Sequence, residues 1–208
     1  MLLYIDASMI ERRGEAMEDI TILVARLKDG DEDAFDRLYD AYHLTLYRSA
    51  YLIVGNAQDA EDVLQETFLT ALTHIATLKN NQYFKAWLYR IMTNLAYKTV
   101  KRRSREQSES EEVLSSRCMA ESMEKNNLED IITLHAEQEA VRQGLLQLKL
   151  KQREVMVLYY YNGFSIREIA DICGCFEGTV KSRLHKARKT LKTLLLVENN
   201  PFCRWEEA

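Results

Sequence analysis

Apolar positions recur with helical spacing over most of this chain. Val63, Leu64, Thr67, Phe68, Ala71 and Leu72 follow a period near 3.6, and Trp87, Leu88, Ile91 and Leu95 do the same, so both sets predict helices with these residues in the core. Near the C-terminus, Ile166, Ile169, Ala170 and Cys173 form one face of a short helix. Val180, Leu184, Ala187 and Leu191, at spacings of four, three and four, make the stripe of a second helix that packs on the first. Turn chemistry separates these runs. Asp29-Gly30-Asp31 parts a first helix from a second over about Glu32 to Val54, Gly55-Asn56 closes that one, and Asn56 caps a third with Asp59 three residues on. A fourth helix starts at about Gln82. Ser165 with Glu168 is a capping box, Gly174 a left-handed helix end, and the last helix begins near Glu177.

Composition agrees with an all-α chain. Of 208 residues only one is proline and seven are glycine, too few breakers for a strand-and-turn fold, while 47% hydrophobic content is enough for a core. No apolar run approaches the ~20 residues of a membrane span and no signal-peptide pattern opens the chain, which predicts a cytoplasmic protein without membrane insertion. Cys118, Cys173, Cys175 and Cys203 offer one close pair where zinc sites usually want two, and Cys173 reads as a small core residue. The four histidines are scattered and no nucleophile motif appears. Neither metal, cofactor nor catalysis is expected.

Charge divides the chain more sharply than its net −4 suggests. From Lys85 to Arg105 run seven bases and no acid; from Glu106 to Glu139 run ten acids against Arg117 and Lys125. The acidic stretch, rich in Ser and Asn up to about Asn127 and lacking aromatics, reads as a flexible linker. From Thr179 to Thr193 there are again six bases and no acid. A basic helix face is ordinarily just a solvated face. A short helix, a glycine turn and a second helix with small polar and cationic residues near its start are, however, what a major-groove reader needs.

The strings REIAD, CGC and GTVKSRLHKARKTL resemble region four of the extracytoplasmic-function (ECF) sigma factors, the small promoter-specificity subunits of bacterial RNA polymerase. The resemblance implies a helix-turn-helix that reads the minus-thirty-five element. Thr179, Lys181, Ser182, Arg183, His185 and Lys186 would contact bases or phosphates, and Arg188 and Lys189 phosphates. Two departures stand out. Phe176 occupies a place where the family often has Pro or Ser, leaving the recognition helix without a side-chain cap unless Cys175 or a water supplies one. Leu148-Lys149 stands where relatives have Leu-Pro.

DAEDVLQETFLTAL is similar to region two of the same family, in which this helix docks on the beta-prime clamp helices. That implies a core-polymerase surface of Asp59, Glu61, Asp62, Gln65 and Glu66. Acids in the first turn are also favoured by the helix dipole, but Gln65 and Glu66 lie beyond it. FKAWLYRIMTNLAYKTVKRR resembles the segment that recognises and opens the minus-ten element. Opened strands need pockets, stacking platforms and backbone cations. The candidates are Lys79, Asn80 and Asn81 in the loop from Leu78 to Gln82, then Tyr83, Phe84, Arg90, Asn94, Lys98, Lys101 and Arg102. For Tyr83 and Phe84, packing at the helix start competes with stacking. Lys98 stands where relatives commonly show Asp.

The expected organisation is two small helical domains: region two over 17–105 and region four over 135–196, joined by the acidic linker 106–134 and followed by a tail over 197–208. Residues 1–16 match nothing, and Arg12-Arg13-Gly14-Glu15 is what a purine-rich ribosome-binding sequence would encode, so Met17 stands beside Met1 as a candidate start. About 30 linker residues extend to at most ~100 Å, enough for promoter elements ~85 Å apart if the linker is nearly straight. In the family it threads the basic polymerase cleft, which suits its acidity. The implied partners are core RNA polymerase (beta-prime clamp helices and beta flap), promoter DNA and an anti-sigma factor. A stand-alone helix-turn-helix regulator would explain the C-terminal unit but neither the acidic third helix nor the basic fourth. A pure interaction protein that only holds polymerase or an anti-sigma partner would not need basic faces in both units.

Overall fold

A computed structural model of the chain describes residues 19–109 and 139–197. The N-terminal extension with Met17, the acidic linker from 110 onward, Cys118, Cys203 and the C-terminal tail lie outside the described residues. Helix α1 (Ile20–Lys28) starts where the Asp19 carboxylate accepts the Thr21 amide, and α2 (Glu32–Val54) starts where Asp31 accepts the amides of Asp33 and Ala34. Gly55, at φ 94°, ends α2 in the left-handed region that a side chain would make costly. Asn56 then caps α3 (Ala57–His74) by accepting the Asp59 amide. Two short 3₁₀ turns, Ile75–Thr77 and Asn81–Tyr83, lead into α4 (Phe84–Glu109), so the fourth helix proper begins after Gln82 and continues past Arg105, where the region-two unit was expected to end.

The C-terminal unit consists of α5 (139–147), α6 (Leu150–Met156), α7 (Ile166–Cys173) and α8 (Glu177–Val197). After Met156 the α6 turns widen to π geometry over Val157–Tyr161, with the Asn162 amide bonding five residues back to the Val157 carbonyl at 3.1 Å. Ser165 and Glu168 form the full capping box of α7, and Gly174 at φ 59° ends it. Among the described residues there is no strand, and no helix is long and apolar enough to cross a membrane.

Burial follows most of the helical stripes. Val63, Leu64, Thr67, Phe68 and Ala71 are buried, as are Leu88, Ile169, Ala170, Val180, Leu184 and Ala187, while Trp87, Ile91, Leu95, Ile166, Cys173 and Leu191 are half-buried against them. Leu72 departs from the expectation. It sits on the outer face of α3 near Leu69, because the stripe drifts by the end of five turns. The two helical units share one continuous buried cluster. Arg153, 8% exposed, bridges them: Nε bonds the Leu145 carbonyl at 2.8 Å, Nη1 the Ile53 carbonyl at 2.6 Å, and Nη2 the Leu146 and Leu148 carbonyls. Asn162 Nδ2 crosses to Ser49 Oγ at 2.8 Å and Tyr89 Oη at 3.0 Å, and the Phe164 ring meets Tyr89 edge-on.

Candidate nucleic-acid and partner surfaces

Helix α3 carries its buried stripe inward and a polar stripe outward. Glu61, Asp62, Gln65 and Glu66 are all exposed. Asp59 is different: its side chain is only 17% exposed, and its Oδ2 accepts from Arg103 Nη1 at 2.8 Å and from Asn56 Nδ2 at 2.7 Å. Arg103 also donates to the Val54 carbonyl, so this group ties α4 to the junction of α2 and α3. Asp59 is thus engaged by the fold, unlike the four exposed residues of the expected docking face. Leu69, 60% exposed, and Leu72 extend the outward stripe with apolar surface that alternation alone did not reveal. The readable signal was that α3 holds more apolar residues than one buried stripe can take.

The loop before α4 is pinned from below. Lys28 Nζ donates to the Leu78 carbonyl and to Asn81 Oδ1, while Asn81 Nδ2 donates to the Thr21 carbonyl at 3.1 Å. Asn81 is therefore a half-buried anchor of the loop, and Lys79, Asn80 and Tyr83 are the residues it presents outward, Tyr83 at 65% exposure. Phe84 is 2% exposed between Tyr42 and Trp87, so of the two readings open for it the burial matches packing: the helix start turns its ring into the core. Along α4, Arg90, Asn94, Lys98, Lys101 and Arg102 are exposed. Beside them lies an open groove of about 320 Å³ lined by Thr70, His74, Thr77, Trp87, Arg90, Ile91 and Asn94. Thr70, His74 and Thr77 come from the end of α3 and were not singled out in the sequence, since only the packing of α3 on α4 brings them to Asn94.

On α8 the apolar stripe faces α6 and α7, which leaves Lys181, Ser182, His185, Lys186, Arg188 and Lys189 exposed and Thr179 and Arg183 half-buried. Arg183 Nη1 lies 3.7 Å from Cys175 Sγ, so that sulfur faces a guanidinium. Arg188 Nε donates to Tyr160 Oη at 2.6 Å with its guanidinium over the rings of Tyr159 and Tyr160, which fixes the direction of this cation. Cys173 is half-buried, and desolvation first, then the nearby Glu154 carboxylate, pushes its thiol well above the ordinary range. It is an inert packing group. Among the described residues no His, Cys, Asp or Glu side chains cluster as metal ligands.

An acidic outward helix, a basic helix after a presented loop, and a capped helix-turn-helix with a cationic second helix are the arrangement that the resemblance to the sigma factors implied. The Sigma-70 region 2 family matches residues 38–106, and the Sigma-70, region 4 family matches residues 138–191. The chain is 32% identical over 179 residues to the ECF RNA polymerase sigma factor SigW of Bacillus subtilis, covering 83% of this chain and 94% of that one. Two solved structures share the fold. CnrH in complex with the cytosolic domain of CnrY has a TM-score of 0.65 at 25% identity, covering 86% of this chain and 98% of that one. The sigma factor RpoE in complex with the anti-sigma factor NepR from Bartonella quintana has a TM-score of 0.64 at 29% identity, covering 79% and 98%. The chain belongs to the ECF sigma factors, which bind core RNA polymerase and direct promoter recognition and transcription initiation. The stand-alone regulator is not favoured.

Proposed function

We propose that each exposed face has one task in initiation. Asp62, Gln65 and Glu66, with Glu61 beside them and Leu69 and Leu72 continuing the stripe, dock α3 on the beta-prime clamp helices: acids steer the encounter, and the two leucines supply apolar area that charge alone lacks. Lys79, Asn80 and Tyr83 of the loop and Asn94 of the groove take bases of the opened minus-ten strand, while Arg90, Lys98, Lys101 and Arg102 follow its backbone. Region four, over about 135–196, sits on the beta flap and lays the start of α8 into the minus-thirty-five major groove. Lys181, Ser182, His185 and Lys186 then reach bases or phosphates, and Arg188 and Lys189 phosphates. The chain itself catalyses nothing and works on the cytoplasmic polymerase. An anti-sigma partner holds it inactive, as the RpoE complex with NepR suggests.

The observation that carries this reading is the separation of opposite charge on adjoining helices: the outward face of α3 is acidic and that of α4 basic, so one unit can hold a protein on one side and a nucleic-acid strand on the other. The test is size-exclusion chromatography of the full chain with bacterial core RNA polymerase, beside a variant carrying Asp62→Arg and Glu66→Arg. Co-elution of the wild type, lost in the folded variant, supports the α3 assignment; equal co-elution removes it. For α8, Lys189→Ala should weaken promoter binding for every sequence and lower the slope of log affinity against log salt by about one.

A further inference from the structure

Phe176 is 87% exposed, the highest value among the large hydrophobic residues described. It stands directly before α8, where its carbonyl accepts the amides of Thr179 at 2.8 Å and Val180 at 3.2 Å. This is the N-cap place, normally held by Ser, Thr, Asp or Asn because their oxygens satisfy free helix amides, and a side chain without oxygen forgoes that help. The ring therefore adds neither a cap nor core packing to the fold. Its position is nonetheless well fixed. Gly174 holds the turn at φ 59°, the Cys175 amide bonds back to the Ala170 carbonyl at 2.9 Å, and Val180 and Leu184 are buried immediately after it. An aromatic presented on a rigid turn loses little freedom on binding, so its contact energy is kept.

The chemistry of the tip says which part of a duplex it can meet. Phe176 has no donor for a phosphate, and the exposed Glu177 next to it would be repelled by one. The cations begin only at Lys181. The tip of the turn is thus unsuited to the DNA backbone and suited to the floor of the groove, where the only apolar feature of the major-groove pattern is the thymine C5 methyl, a group that Phe can pack against. We propose that Phe176 is a specificity-determining residue of the minus-thirty-five reader, packing its ring on the methyl group of a thymine at the edge of that element. This rests on the reading of α8 as the helix that enters the groove.

The test uses holoenzyme made from the full chain and core polymerase, with a duplex library randomised over the minus-thirty-five region as the probe. Wild type, Phe176→Ser and Lys186→Ala are compared on the duplex that the wild type selects, with each thymine replaced in turn by deoxyuridine, which removes only the methyl. Serine can cap α8, so Phe176→Ser should melt no lower than the wild type. The wild type should lose about fourfold in affinity at one thymine, the transfer value of a single buried methyl. Phe176→Ser should lose nothing there, and Lys186→Ala should keep the deoxyuridine effect while binding all sequences more weakly. Equal deoxyuridine sensitivity in wild type and Phe176→Ser, or a selected element without thymine, overturns the proposal. So does a Phe176→Ser chain that selects the same element but co-elutes poorly with core polymerase, since the ring would then face protein. If Lys186→Ala binds the duplex as well as the wild type does, the reading of α8 itself fails.

Discussion

Asp59 and Asp62 lie three residues apart on α3, and the fold uses them differently. Asp59 is enclosed by Arg103 and Asn56, whereas the Asp62 side chain points outward with only a long contact from Gln58. Asp59→Asn should therefore lower unfolding stability by about 1 kcal/mol, the scale of a partly buried ion pair, while Asp62→Asn should stay within about 0.5 kcal/mol. Urea midpoints at constant slope would read both; equal losses would contradict the division. The sequence could not separate these two acids, because the deciding partner is 44 residues away and only the tertiary packing of α4 on α3 brings it close. Phe84 and Tyr83 were inseparable for the same reason. Ser165 and Glu168, by contrast, were legible, since a capping box depends on local spacing alone. Hydrogen bonds from the Ser165 hydroxyl and then its backbone amide hold the Glu168 carboxyl below its ordinary 4.5. Its capping contribution is thus fully present above that value and lost as pH falls through the lower folded value. Glu168→Ala should cost about 1 kcal/mol at pH 7, and the difference from wild type should shrink as the pH is taken below about 4.5.

At the scale of elements, helix ends decide how the two units meet. The last carbonyls of α5 and α2 have no partner within their own helices, and the Arg153 guanidinium bonds Leu145 and Leu146 from one and Ile53 from the other. Removing it leaves the Ile53 and Leu146 carbonyls without this donor, while the Leu145 carbonyl keeps the Leu148 amide at 3.1 Å, and stranding buried acceptors is a larger loss than deleting both sides of a contact. Arg153→Met should cost roughly 3 kcal/mol despite preserving much of the apolar volume, seen as a lower urea midpoint. A loss under about 1 kcal/mol would mean that water reaches these carbonyls. Stripes and caps made the helices readable, but this junction was not: Arg153 sits in a run of mixed charge in which nothing local distinguishes a buried arginine from a solvated one. The π turn after Met156 was equally hidden, as its effect is to aim Asn162 at residues of another unit.

If α4 takes the minus-ten element and α8 the minus-thirty-five element as proposed, the whole molecule has to change its arrangement to do its work. Two promoter elements ~25 base pairs apart are separated by ~85 Å, whereas a folded chain of this length has a radius of gyration of only ~17 Å and so spans about half that distance. While Asn162 bonds Ser49 and Tyr89, Phe164 packs on Tyr89 and Arg153 reaches Ile53, α4 and α8 cannot occupy both elements at once. The stripe of Arg90, Asn94 and Lys98 is exposed in this closed arrangement, because region four meets α4 through Lys85, Tyr89 and Tyr97 on a neighbouring face. Opening therefore costs the crossing contacts and is offset by docking on polymerase and promoter together. Fluorophores at Lys79 and Lys192 should transfer energy efficiently in the free chain and poorly in the promoter-bound holoenzyme. Asn162→Ala, which removes two crossing hydrogen bonds worth about 1 kcal/mol each, should lower the transfer in the free chain without altering that of the complex. Transfer that stays high on promoter DNA would mean that the two units bind without parting, and the closed arrangement would then be the working one.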